Sequence, residues 1–191
     1  MKLSNHLKEK LLDEMIYNMK DYAYPTTGVP SGDHPSEAFR IRVFNNTIAT
    51  PLNNVELLTY MEANNAPPGL LLDFGVSAKI PSSALQKVRT EKRNATTNDL
   101  ESIQISLKLS GTYSEQAKAT GIVGFFVVYQ VNDSNPQTPT FTALYQRAIC
   151  FASDSIAANG GQAAMILSAT DLTVGDNVIL ADLTLNLIEV I

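Results

Sequence analysis

The stretch GIVGFFVVYQV, residues Gly121–Val131, is the most apolar run of the chain and carries no charge. A transmembrane helix needs about 20 consecutive apolar residues, but this run is closed after eleven by Asn132 and Asp133. Its β-branched and aromatic content, with a glycine at its start and a polar, proline-containing segment behind it, is typical of a buried β-strand. Because neighbouring side chains of a strand point to opposite faces, Phe125 and Phe126 predict burial on both sides.

A second strand is predicted by AFRIRVF, where apolar and charged residues alternate. Phe39, Ile41 and Val43 are expected on one face, and Arg40 and Arg42 on the other. This pattern predicts a strand with one face in water.

Further strands are predicted in LLLDFGVSAKI, ESIQISLKLSGTY, TFTALYQRAICFAS and VILADLTLNLIEVI. The second of these has the inward set Ile103, Ile105, Leu107 and Leu109. The last has the expected inward set Ile179, Ala181, Leu183, Leu185 and Leu187. Its alternation slips at Leu187 and Ile188, which indicates a bulge or a crossing between sheets. At least six strands separated by turn residues predict a sandwich or a barrel.

The N-terminal segment predicts an amphipathic helix followed by an extended arm. Apolar residues recur at helical spacing from Leu3 to Met19, and charged residues fill the other face. Ser4 can cap the helix start, and Pro25 prevents its continuation. The helix is therefore expected to end near Tyr22, and the Pro- and Gly-rich PTTGVPSGDHPSE is a linker or arm.

The domain organisation follows from these patterns. Residues 1–35 are assigned to the N-terminal helix and arm, and residues 36–191 to a β-sandwich domain. A short helix is also expected in LNNVELLTYMEAN, residues 52–64, from its apolar spacing. The predicted class is mainly β: an antiparallel, jelly-roll-like β-sandwich with an N-terminal α-helix and an extended arm.

The composition limits the classes of function. The chain has 191 residues, of which 45% are hydrophobic, and this suits one substantial domain. Its formal charge of -5 argues against a dedicated nucleic-acid binder, because such proteins neutralise phosphates with cations. The single cysteine, Cys150, is expected as an apolar filler in a strand. The start MKLSNHLKEK lacks the apolar region of a signal peptide, which predicts folding in a cytoplasm.

Catalytic and metal-binding residues are sparse in the sequence. His6 and His34 have no local nucleophile and orienting acid of a known motif. Asp171 and Asp176, around Gly175, are weak candidates for a calcium site, although a tight turn between strands is the favoured interpretation. ANGGQA is likewise interpreted as a flexible turn. No cofactor and no metal are therefore expected.

A basic stretch interrupts this acidic protein. LQKVRTEKRNATTN contains Lys87, Arg89, Lys92 and Arg93. Such a patch suits an acidic neighbouring subunit or nucleic acid. A solvated loop is the favoured interpretation.

The order of several short phrases resembles a family of small tailed-bacteriophage structural proteins. LSNHLKEKLLD, Leu3–Asp13, is similar to the family's opening LSxxLRNxLLD, and FRIRVFNNT and LLLDFGV are similar to its next two phrases. TGIVGFFVVY, ALYQRAICF and TDLTVGDNVILADLTLNLIE resemble its glycine-bearing strand, the following strand and the closing hairpin. The resemblance covers most of the chain apart from residues 80–118.

This resemblance implies a non-enzymatic virion protein, made in the cytoplasm of a bacterial host and present in many copies. Head decoration and the head–tail neck or collar are the expected positions, with copies of itself and the major capsid, portal, neck or tail proteins as partners. No membrane and no specific nucleic acid is expected. The alternative is a tail-associated module that binds a carbohydrate or receptor, with Tyr113, Tyr145 or the Asp171–Asn177 loop around its site. The predicted helix is expected to dock on its own subunit or on a neighbour through Leu7, Leu11, Met15 and Met19.

Overall fold

We examined a computed structural model of the chain, which describes residues 37–50, 67–81, 84–132 and 150–190. These residues form twelve β-strands and no α-helix. The predicted N-terminal helix and arm, residues 1–35, and the predicted short helix of residues 52–64 lie outside the described ranges. The prediction of a mainly β protein is confirmed.

The strands are, in chain order, β1 Glu37–Asn45, β2 Leu70–Phe74, β3 Ile80–Pro81, β4 Leu85–Arg93, β5 Leu100–Leu109, β6 Tyr113–Gln116, β7 Gly121–Asn132, β8 Cys150–Ser153, β9 Ile156–Ala158, β10 Met165–Leu167, β11 Asp171–Leu172 and β12 Asn177–Val190. The first sheet has the order β11-β7-β1-β2, with β3 paired to β1 and β8 paired to β7. The second sheet has the order β4-β5-β12-β10-β9, with β6 paired to β12. The pairs are antiparallel except for β9 and β10, which run parallel, so the second sheet is mixed.

One hydrophobic cluster contains side chains from both sheets. The first sheet contributes Phe39, Ile41, Val43, Leu71, Leu72, Phe74, Ile80, Phe126, Val128 and Leu172. The second sheet contributes Leu85, Leu107, Leu109, Met165, Leu167, Val178, Leu180 and Leu183. Apolar area removed from water in such a cluster is the main source of stability.

The strand predicted from the opening stretch is confirmed as β7. Residues 125–129 are all buried, as expected for a strand covered on both faces. β7 pairs with β1 along nearly its whole length, with Ile41 opposite Val128 and Val43 opposite Phe126. These pairs place the expected apolar face of β1 in the core cluster.

The last strand, β12, shifts its alternation twice, whereas the sequence predicted one slip. The slip near Leu187 is confirmed, because the pairing with β5 jumps from Asn186 to Ile188. A second shift separates the β10 pairs of Asp182 and Leu180. As a result Leu180 is buried, and the expected inward position of Ile179 is wrong.

The inward position expected for Ala181 is wrong for the same reason, since Ala181 is exposed. Ala181 is an extra residue between the paired positions Leu180 and Asp182. Such an insertion moves every side chain before it in the strand to the opposite face of the sheet. Val178 and Leu180 therefore enter the core, and the phase predicted from Leu183 onward does not extend back to the strand's start.

The basic stretch forms strand β4, and its interpretation as a loop is therefore wrong. Leu85 pairs with Leu109, and the pairing continues to Arg93 opposite Leu100. β4 itself has little apolar periodicity. Its backbone is held in a strand by hydrogen bonds to β5, in which apolar and polar residues alternate. Tertiary context thus overrides the weak strand propensity of its charged residues.

Gly124 marks a close approach of β7 to the chain that leaves β1. A β-carbon at this position would lie 2.5 Å from the Cα atom of Asn46 and 2.7 Å from the carbonyl oxygen of Asn45. The pairing of β1 and β7 shifts at the same point, between Phe44 and Asn45. Only a residue without a side chain fits there.

We expect Gly124→Ala to destabilise the protein by about 1–3 kcal/mol, because the added methyl group meets backbone atoms that cannot rotate away. Urea unfolding of the purified chain measures this difference. Gly121→Ala is the matched control, since its β-carbon would meet only side-chain atoms, of Leu71 at 3.2 Å and of Asn45 at 3.5 Å. Equal stability of Gly124→Ala and the parent protein would contradict the close approach.

Candidate functional site

The β4–β5 hairpin, residues 85–109, runs from the core to an exposed tip. Leu85, Leu107 and Leu109 at its base belong to the core cluster. Beyond them the hairpin contains Ile103 and Ile105, which are buried but are not members of that cluster. β12 pairs with β5 as far as Ile103, which lies opposite Glu91 of β4, so residues 92–102 form the part of the hairpin beyond that pairing.

The β4 strand displays charged side chains that are paired within the hairpin. Glu91 accepts hydrogen bonds from Arg89 and, at 2.8 and 3.0 Å, from Arg93. These bonds, from Arg89 first and Arg93 second, lower the pKa of the Glu91 carboxyl group below its ordinary value. Lys92 forms an ion pair of 3.2 Å with Glu101 on β5. All of these groups are exposed, so the pairs add little stability and remain accessible to a partner.

The hairpin ends in a turn that is closed by its own hydrogen bonds. The side-chain oxygen of Asn94 accepts the backbone N–H groups of Thr96 and Thr97 at 2.9 and 3.0 Å. The Asn94 N–H group donates to the Asp99 carbonyl oxygen at 2.8 Å, and Asn98 adopts a left-handed φ of 60°. An asparagine tolerates this conformation better than most residues. The tip therefore has a defined shape.

A second feature is the charge cluster of Arg40, Arg42 and Asp73 on the first sheet. Arg40 donates to Asp73 through Nε at 2.6 Å and through Nη2 at 2.7 Å. Arg42 donates through Nε to the same carboxylate at 3.3 Å. The strand register explains this arrangement, because Arg42 lies directly opposite Asp73 on β2, and Arg40 lies opposite Tyr129 on β7.

The charge cluster is buried, so the expectation that Arg40 and Arg42 face water is wrong. The exposed fraction is 6% for Arg40, 1% for Arg42 and 2% for Asp73. The same face also contains Phe44 stacked on Phe125, with ring centroids 4.9 Å apart. The first sheet is thus buried on both faces, which alternation of charged residues cannot reveal.

Burial and pairing act in opposite directions on Arg40. Burial by itself lowers the pKa of its guanidinium group, but the hydrogen bond to Asp73 and the electrostatic interactions with Tyr129, Asp73 and Glu115 outweigh it, and the pKa is raised. Arg42 also lies over the Tyr129 ring, with 5.8 Å between its Cζ atom and the ring centroid. The charge cluster therefore holds two guanidinium groups and one carboxyl group in a fixed geometry, which suits a structural role in fixing strand register.

The role of Asp73 was not predicted, although its position in the sequence indicates a buried charge. An aspartate within the run LLLDFGV is a charge inside a strand that is otherwise apolar. Burial of such a group requires a charged or hydrogen-bonding partner, and the two arginines of β1 were available.

The predicted helix-docking residues Leu7, Leu11, Met15 and Met19 lie outside the described residues, and their role stays a prediction. Tyr145 also lies outside them. Tyr113 packs against the core, and its hydroxyl group donates to the Ser110 carbonyl oxygen at 3.3 Å. Burial raises its pKa.

Asp176 lies in a tight turn between strands, as the favoured interpretation predicted for the segment around Gly175. Asp176 accepts the N–H group of Thr173 at 2.7 Å through its side chain, and its own N–H group donates to the Thr173 carbonyl oxygen at 3.0 Å. Gly175 supplies a φ of 90°. Asp171 instead lies on β11, opposite Ile122 of β7. The Asp176 carboxylate thus closes the turn between β11 and β12.

Residues 37–50, 67–81, 84–132 and 150–190 contain no group of three or more His, Cys, Asp or Glu residues placed to hold a metal ion. The same ranges contain no helix with the length and apolar character needed to cross a bilayer.

Comparison with known proteins returned no match for this chain among protein-family models, curated proteins or solved structures.

Proposed function

We propose that this chain is a non-enzymatic structural protein of a tailed-bacteriophage virion, present in many copies at the head surface or at the head–tail neck. The observation that carries this proposal is the β4–β5 hairpin, which extends past its pairing with β12 and presents exposed charged groups on a defined backbone. Extended elements of this kind can reach a neighbouring subunit without disturbing the fold of either. The order of phrases shared with the phage family supports the same conclusion.

The fold that we propose for this role is an antiparallel, jelly-roll-like β-sandwich. Its support is the single hydrophobic cluster to which both sheets contribute. The two sheets also meet at one corner, where Lys118 donates its N–H group to the Leu71 carbonyl oxygen at 2.8 Å and β6 lies near β2. This fold leaves the exposed charged groups of the hairpin available for contacts.

The proposed partners are copies of the same chain and other virion proteins. Charged groups at the rim of an interface mainly set association rate, specificity and salt dependence. The hairpin surface around Lys92 and Arg93 is suited to such a rim. The N-terminal segment, with Leu7, Leu11, Met15 and Met19, is a second proposed contact.

The proposed location is tested on purified particles made by the cell that encodes the chain. Gold-labelled antibodies against this protein should decorate the head or the neck in electron micrographs. Recovery of the protein only from the soluble lysate, with unlabelled particles, would overturn the proposal. Labelling confined to the tail tip, together with binding to a host glycan, would instead favour the tail-associated receptor-binding module.

We expect the double variant Lys92→Glu, Arg93→Glu to reduce incorporation into particles while leaving the melting temperature nearly unchanged, because both side chains are exposed. Competition between variant and parent protein during particle assembly, read by mass spectrometry, measures this effect. Lys118→Glu is the matched control, as an exposed lysine outside the hairpin. Equal incorporation of the parent protein, the double variant and the control would show that the hairpin is not part of the interface.

A further inference from the structure

The turn between β9 and β10 contains a chemically unusual pair of residues. Asn159 and Gly160 form the only Asn-Gly pair in the chain. Both residues are exposed. Side-chain amides of asparagine are among the least durable groups of a protein, and the residue that follows controls how easily the backbone reaches them.

The turn around Gly160 is uncrowded. The turn is closed by the N–H group of Gly161, which donates to the Ala158 carbonyl oxygen at 2.9 Å. Gly160 has a φ of 87°, and no heavy atom lies within 4 Å of the position that a β-carbon would occupy. Gly160 therefore has neither a side chain nor a close neighbour at its Cα atom to hinder the backbone rotation that brings its nitrogen to Cγ of Asn159.

We propose that Asn159 is a site of spontaneous self-modification, at which its side-chain amide is converted to a carboxylate. The Gly160 backbone nitrogen loses its proton and attacks Cγ of Asn159, forming a new C–N bond. The bond from Cγ to the side-chain nitrogen breaks, and that nitrogen leaves as ammonia after taking up a proton. The resulting five-membered succinimide is opened by water at either carbonyl, which yields aspartate or isoaspartate. No oxidant, cofactor or enzyme is required.

Asn94 provides a contrast within the same molecule. Its side-chain oxygen is held by the N–H groups of Thr96 and Thr97, and its side-chain nitrogen donates to Glu101 at 3.2 Å. The next residue is Ala95, whose β-carbon hinders approach to the backbone nitrogen. Asn94 is therefore held away from the reactive geometry, although it also lies in an exposed hairpin turn.

The conversion would alter a turn whose next residue, Gly161, lies close to Ala157. The formal net charge becomes -6, which is the present -5 with one further negative charge. Isoaspartate would also insert a methylene group into the main chain between the Cα atom of residue 159 and the nitrogen of Gly160, one residue before Gly161. A β-carbon on Gly161 would already lie 2.5 Å from the β-carbon of Ala157. Because Met165 and Leu167 of the adjoining β10 belong to the core cluster, the modification is expected to loosen this edge of the second sheet.

The test is to incubate the folded full-length chain at mildly acidic and mildly alkaline pH and to quantify each asparagine by peptide mapping and mass spectrometry. Isoaspartate is identified with a protein isoaspartyl methyltransferase. We expect Asn159 to convert several times faster than Asn94, and faster at alkaline pH, because the attacking amide nitrogen must lose its proton. Asn159→Gln should convert far more slowly, since its cyclisation requires a six-membered ring.

Equal rates at Asn159 and Asn94 in the folded protein, or a rate at Asn159 that does not rise with pH, would overturn the inference. The Asn159→Gln variant is expected to keep the parent's melting temperature, because the side chain is exposed. The chemistry needs no partner, so its outcome is independent of whether the chain belongs to a virion.

Discussion

Replacing Asp73 by Asn is expected to lower the free energy of unfolding by about 3–5 kcal/mol, because it removes one partner of a buried ion pair and leaves the other charged. The Asp73 carboxylate accepts two hydrogen bonds from Arg40 and one from Arg42. Asparagine retains the shape of the side chain but replaces one acceptor oxygen by a donor, which faces a guanidinium group. The loss is therefore electrostatic rather than a cavity.

Urea unfolding followed by circular dichroism measures this effect, and the slope of the transition should stay constant if only stability changes. Glu91→Gln is the matched control. Glu91 also accepts bonds from two arginines, but it lies on the exposed hairpin, where such pairs contribute about 0–1 kcal/mol. A similar loss for the two variants would show that burial does not distinguish the two clusters.

Leu180→Ala is expected to destabilise the protein by about 2–5 kcal/mol, because it deletes core methyl groups and leaves a cavity. Leu180 has 1% of its surface exposed and lies in the core cluster, opposite Leu167 of β10. Few other substitutions of a single side chain by alanine in the second sheet should lower the free energy of unfolding by more.

The neighbouring residue is a built-in control. Ile179 is 39% exposed, so Ile179→Ala is expected to change the free energy of unfolding by about 0.5 kcal/mol or less. Thermal unfolding of both single variants under the same conditions suffices. The reverse order, with Ile179→Ala as the damaging change, would restore the register expected from alternation alone and contradict the second shift in β12.

The local pattern of apolar residues was enough to locate strands in which that pattern continues along the strand. β7 was identified from its uncharged run, and β5 from the alternation that ends at Leu107 and Leu109, both of which lie in the core cluster. The slip near Leu187 was also visible, because two consecutive apolar residues break a period of two. In each case the signal lies within a few residues, which is the range over which strand periodicity operates.

The register shift near Ala181 could not be predicted from the sequence, because apolar residues continue to alternate across this position. Ile179, Ala181 and Leu183 form an unbroken series of apolar residues at every second position. Only the pairing with β10 shows that the phase changes between Leu180 and Asp182. A bulge depends on what lies on the neighbouring strand, and that information comes from residues distant in sequence.

What the sequence by itself determined is the mainly β character of the chain, the positions of its most apolar strands and the turn around Gly175. These features follow from local periodicity and backbone preference. Only the tertiary structure decided that Arg40 and Arg42 are buried with Asp73 and that the charged stretch of β4 is a strand. From the sequence alone, a charged residue in a strand indicates only that its side chain needs either water or a charged or hydrogen-bonding partner. Asp73 lies more than thirty residues from both arginines, and β1–β2 pairing brings the three side chains together.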